Sequence, residues 1–111
     1  MNLDSSNGTI QRLKNEGFTL NQSRIILFLE SFPESSMADI TTGLRITNAR
    51  AISAMKPLLY NGFVERMRII KGISRGRSYF IYRLRIPVTE IIFESRKFVQ
   101  IVTLEYGKKQ F

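Results

Sequence analysis

The chain has 111 residues, 43% of them hydrophobic and 23% charged, carries a net charge of +8, and contains neither cysteine nor histidine. That is enough for one small domain with its own core, and it excludes thiol chemistry, a Ser-His-Asp triad and a Cys/His zinc site. So much positive charge on so short a chain calls for an acidic partner, with nucleic acid the first candidate.

The opening MNLDSSNGTI has no basic region ahead of an apolar run, so no signal peptide is expected. No apolar stretch reaches the roughly 18 residues that a membrane span needs. The expectation is a soluble, cytoplasmic protein with no membrane contact, no cofactor and no metal. The charge is also uneven. Between Arg45 and Arg85 stand ten bases (Arg45, Arg50, Lys56, Arg66, Arg68, Lys71, Arg75, Arg77, Arg83, Arg85) and one acid, Glu65. That segment carries +9, so the rest of the chain sums to about −1. Charge kept only for solubility would be scattered; this is clustered.

In chain order, residues 1–8 are polar and aperiodic and read as a flexible N-terminus. A short helix is expected over Thr9–Glu16, with Ile10 and Leu13 on one side and Gly17 as its stop. Thr19, with Gln22 three residues on, makes a capping box. The run behind it carries Leu20, Ile25, Ile26, Leu27, Phe28, Leu29 and Phe32. It is apolar round most of its circumference, which predicts the central buried helix, closed by Pro33 and Glu34. Ser35 and Ser36 are cap candidates for a second core helix, MADITTGL, with Asp39 completing a similar box.

Thr47 caps a third helix over 47–61. At 100° per residue, Ile52, Met55 and Leu59 cluster on one face, while Arg50, Ser53, Ala54, Pro57 and Tyr60 point away and Lys56 lies on the flank. Pro57 lacks an N–H and clashes with the carbonyl four residues back, roughly 3 kcal/mol, so a kink or a restart is expected. Asn61-Gly62 supplies a left-handed stop. Two strands follow, Phe63–Ile70 and Ser78–Arg85, β-branched and aromatic in character. The loop KGISRGRS between them brings two glycines and three bases. Pro87 opens a last helix over 87–106, and residues 107–111 form a basic tail. Val88, Ile91, Ile92, Phe98, Val99 and Val102 make a stripe along that helix, with Ile101 and Leu104 beside it. Some 18 residues form a rod of roughly 27 Å, more than a domain this small can cover. The segment 88–104 therefore reads as a homodimer seam in preference to a lid on its own domain.

Helix, helix, helix, hairpin is the order of a winged helix-turn-helix. The stretch TNARAISAMKPLLYNGFVER resembles the recognition helix and first wing strand of MarR/TrmB-type regulators, common in archaea. The matching features are Leu58-Leu59, Gly62, Phe63-Val64 and Glu65-Arg66. Gly17-Phe18-Thr19-Leu20 resembles the lead-in to that family's first core helix, and KGISRGRSYFIYRL its Gly/Arg wing. The resemblance spans roughly Gly17 to Leu84. It implies an α+β, mostly α fold: a winged helix-turn-helix over 9–86, with a three-helix core and a two-stranded β-hairpin wing, plus an extra C-terminal helix. It implies a sequence-specific transcriptional regulator that binds double-stranded DNA as a dimer. Helix 47–61 would enter the major groove, and the wing 71–78 would lie on the backbone or in the minor groove.

The residue types fit that role. Thr47, Asn48, Arg50, Ser53, Ala54 and Lys56 are the candidate groove residues. Arg50 can take guanine O6 and N7, Asn48 adenine or a phosphate, and Ala54 a thymine methyl. Asn48 can equally be a plain cap, and Arg50 a solvated base. Lys71, Arg75 and Arg77 suit phosphate or the minor groove; the alternative is a charged tip that discourages aggregation. Of Arg66, Arg68, Arg83 and Arg85, some serve only to satisfy Glu65. Tyr79, Phe80 and Tyr82 close the wing against the core in preference to stacking single-stranded bases. A low-specificity architectural DNA binder and a winged helix used as a protein-interaction module remain open. An enzyme is not expected: Asp39 and Glu94 stand isolated, and no nucleophile–base pair is visible.

Overall fold

The computed structural model describes residues 3–70 and 78–92. Within them the order is α1 (Leu3–Asn15), α2 (Leu20–Ser31), β1 (Ser35–Ser36), α3 (Met37–Leu44), α4 (Asn48–Tyr60), β2 (Val64–Ile70) and β3 (Ser78–Leu84). A helical turn over 88–92 follows.

Local chemistry sets the helix ends. Thr19 Oγ accepts from the Gln22 amide at 3.1 Å while Gln22 Oε1 accepts from the Thr19 amide at 2.9 Å. Ser36 and Asp39 repeat the arrangement at the start of α3, at 3.1 and 3.0 Å. Each such cap contributes about 1 kcal/mol. At the other end of α1 and α4, Gly17 (φ 105°) and Gly62 (φ 78°) take the left-handed conformation. The amides beyond them reach back, Phe18 to Leu13 O and Phe63 to Leu58 O, so the last carbonyls are satisfied. Phe18 and Phe63, both placed by these stops, meet edge-on with ring centroids 5.5 Å apart.

Helix α2 is the hub, touching α1, α3, α4 and β3. Its Ile25, Ile26 and Leu29 are buried with Leu13, Ile40, Met55, Leu58 and Val64. Ser23 is also fully buried, and its hydroxyl donates to Thr19 O at 2.8 Å. Arg24 Nη2 donates to Leu44 O at 2.7 Å, so a cation closes the C-terminus of α3, where the helix dipole favours one. A three-residue turn, Arg45 to Thr47, then leads into α4, with Arg45 left-handed at φ 56°.

In the bounds and pairing of its elements the structure departs from the sequence expectations in four places. First, α1 begins at Leu3, well before Thr9; Asp4 to Asn7 offer no apolar stripe by which a helix could be read. Second, the sheet has three strands in the order β1-β3-β2. Ser35 pairs with Tyr82 and Ser36 with Ile81, which occupies the backbone edge of β3 that a two-stranded hairpin would leave open. Third, α4 runs through Pro57 as one element, so of the expected kink and restart the restart does not occur; the proline lies on the exposed side. Fourth, Val88, Ile91 and Ile92 join the domain's own core cluster. The seam expected over 88–104 therefore cannot begin at Val88. Residues 93–104 lie outside the described residues.

Strands β2 and β3 pair antiparallel from Val64 opposite Leu84 to Ile70 opposite Ser78. Their connection, which holds Lys71, Arg75 and Arg77, lies outside the described residues.

Candidate nucleic-acid interface

Helix α4 buries Ala51, Ala54, Met55 and Leu58. At 100° per residue these fall within about 100° of arc, so the outward face is centred on Ala49, Ser53, Lys56 and Tyr60. Ile52 and Arg50 mark its two edges. The helical spacing of the sequence puts Ile52 inside and Ala54 outside. The structure reverses both: Ala54 is 7% exposed and Ile52 is 46% exposed. The helix is turned by roughly 80° from the expected setting. The buried arc is held by the large Met55 and Leu58, and the small Ala51 and Ala54 fit between them and the neighbouring elements, which leaves Ile52 at its edge. Ala54 is thereby corrected from a groove residue to a core residue.

The other candidates on this element are accessible. Thr47, Asn48, Arg50, Ser53 and Lys56 are all exposed. Thr47 is the cap, its hydroxyl oxygen accepting from the Arg50 amide at 3.2 Å. Asn48 is thus the first residue of the helix and its side chain is not needed as the cap. Arg50, Ser53 and the rim of Ala54 line one side of a groove of about 300 Å³, whose other side is Thr19, Asn21 and Gln22 at the start of α2. No acidic residue lies on α4. A helix of about 10–12 Å diameter with such a face fits a groove about 12 Å wide and favours an anionic partner.

The strand arginines divide. Arg83 donates Nε–H to Glu65 Oε1 and makes an ion pair with Glu34 at 3.7 Å, so its charge is answered. Arg85 Nη1 lies 3.5 Å from Gly62 O. Arg66 and Arg68 are exposed. The Arg66 guanidinium stands 4.3 Å over the Phe80 ring, a cation–π contact worth about 0.5–1 kcal/mol at an exposed site. Of the three wing aromatics, only Tyr82 closes against the core; Tyr79 and Phe80 are 44% and 41% exposed. Arg66 and Arg68 are thus exposed bases that the sequence alone does not separate from Arg83 and Arg85. The register of β2 against β3 could have found them, because it pairs Glu65 with Arg83 and so leaves its neighbours without that acid.

Among the described residues no helix is long and apolar enough to cross a membrane. No protein-family model matches the chain, and no curated protein matches it either. Solved structures do. A MarR family transcription regulator superposes with a TM-score of 0.58 at 18% identity, covering 97% of this chain and 68% of its own. A possible transcriptional regulator from Methanosarcina mazei Go1 gives 0.65 at 14% identity, covering 90% and 83%. Overoxidized AbfR bound to DNA gives 0.57 at 22% identity, covering 93% and 81%. At these identities the likeness is one of fold, and the fold is that of the MarR winged helix-turn-helix proteins, mostly helical with a small antiparallel sheet.

Proposed function

We propose that this protein is a transcriptional regulator that binds double-stranded DNA in a sequence-specific manner as a homodimer. The observation that carries the reading is the exposed side of α4: Arg50, Ser53 and Lys56 on its outward face and Asn48 at its first position, all exposed on an acid-free helix at the end of a short turn from α3. In this reading the N-terminal half of α4 enters the major groove. Arg50 takes guanine or a phosphate beside the start of α2, and Asn48 takes adenine or a phosphate. Thr47 keeps its hydroxyl hydrogen to give to a phosphate while its oxygen caps the helix. Lys71, Arg75 and Arg77, in the connection between β2 and β3, and Arg66 and Arg68 on β2 meet the backbone or minor groove. The fold shared with regulators, and with AbfR bound to DNA, supports the same reading. Pairing is assigned to residues after Ile92, since the preceding turn is already used by the domain's own core.

Selection of duplexes from a random pool by the full chain tests this. The expected product is a two-fold repeated motif, with half-sites about one or more helical turns apart, in a complex whose mass fits two chains. A pool that binds without enrichment of any motif would favour low-specificity coating of DNA; a pool that yields no bound duplex would end the reading.

A further inference from the structure

We propose that Ile52 is a specificity-determining residue that reads thymine by covering its C5-methyl group in the major groove. The inference rests on the DNA-binding reading above and deepens it. Ile52 and Tyr60 are the large hydrophobic side chains exposed on α4, and Tyr60 is its last residue. In the half of the helix that would enter a groove, Ile52 is therefore the one half-exposed large aliphatic. Asn48 lies one turn before it and Lys56 one turn after, both exposed, so the surroundings draw an anionic partner, not an apolar protein. Ala49, exposed beside it, is small enough to let the helix approach closely.

Among the base edges of a duplex, the thymine methyl is the apolar feature of the major groove. An aliphatic set among polar and basic neighbours on such a face is complementary to that group. Ala54, the side chain that the sequence offered for this contact, is in the core. Asn48 and Ile52 are about 6 Å apart along the helix, on the order of two base-pair steps of about 3.4 Å. The thymine should thus lie within about two steps of the base that Asn48 reads.

The probe is the duplex selected by the wild-type protein from a random pool, resynthesised with one thymidine at a time replaced by deoxyuridine, which lacks only the methyl. For wild type, one position per half-site should weaken binding about three- to five-fold, the size expected for one buried methyl. For Ile52→Ala, whose fold is checked by circular dichroism, the same replacement should have no effect, and its affinity for the parent duplex should fall to that of wild type for the deoxyuridine duplex. The proposal is overturned if no deoxyuridine position weakens the wild type, or if the loss is undiminished in Ile52→Ala. Failure of the wild type to select any duplex would instead overturn the DNA reading itself, so the two failures are distinguishable.

Discussion

Gly43 sits where α3 passes the ring of Phe28, and a Cβ built there would stand 2.4 Å from Phe28 Cε2 and 2.9 Å from Cζ. Alanine at this position gains about 1 kcal/mol of helix propensity over glycine, but forcing a methyl into an occupied site costs about 1–3 kcal/mol. Phe28 is not free to yield cheaply, because its ring also lies against Phe32 at a centroid distance of 4.9 Å. Gly43→Ala should therefore destabilise the fold by roughly 1 kcal/mol in urea unfolding. In a Phe28→Leu background, which lacks both offending atoms, the same substitution should become neutral or stabilising. A second residue-scale prediction separates the arginines of the sheet. Arg83 is held by Glu65 and Glu34 at the surface, where such pairs contribute less than about 1 kcal/mol; Arg68 lies exposed. If the wing meets phosphate, Arg68→Ala should reduce the slope of log K against log salt by about 1. Arg83→Ala should leave that slope nearly unchanged, and an unchanged slope in Arg68→Ala would remove β2 from the proposed interface.

At the scale of elements, α4 carries a proline in its interior without breaking. Pro57 denies the Ser53 carbonyl its helical donor and holds the preceding turn under steric pressure. Because the proline is exposed, replacing it removes little packing. Pro57→Ala should raise stability by about 1–3 kcal/mol and the melting temperature by about 4 °C or more; a melt that is unchanged or lower would mean that the helix has already adapted to the proline. The same element shows what a sequence can and cannot disclose. Its cap at Thr47 and its stop at Gly62 were legible because each depends on residues within a few positions. The capping boxes at Thr19 and Ser36 were legible for the same reason, and the strand pair from its two β-branched and aromatic runs about a Gly-rich connection. The rotation of α4 was not. Which of Ile52 and Ala54 faces inward depends on how closely other elements approach, and a small residue wins a tight contact that hydrophobicity alone would give to the larger one. Strand β1 was equally hidden, since two serines carry no period and their partners, Tyr82 and Ile81, are distant in sequence. In the candidate site, the basic and polar identities were readable, but the exposed aliphatic at its edge appeared only with the helix setting.

For the whole molecule, the question is where the domain stops and the proposed dimer begins. The boundary expected between residues 86 and 87 falls inside the core, because Val88, Ile91 and Ile92 belong to the same buried cluster as the residues of α2 and α4. Each fully buried aliphatic contributes about 1.5–3 kcal/mol relative to exposure, and stabilities of small domains are only about 5–15 kcal/mol in total. A chain ending at residue 86 should therefore be unfolded or close to it, and its oligomeric state would say nothing about pairing. A chain ending at residue 92 keeps all three side chains and should unfold cooperatively, with the circular dichroism of a folded winged helix. Beyond that point the sequence still brings Phe98, Val99, Ile101, Val102 and Leu104, which is where the proposed seam must lie if the earlier turn is spent on the domain itself. Sedimentation should then show a dimer for the full chain and a folded monomer for the chain ending at 92, which would bind a single half-site with much reduced affinity because it loses the linkage between two heads. A dimer that persists in the shorter chain would move the seam into residues 3–92, and the exposed Phe32 and Leu20 on either end of α2 would be the first places to substitute.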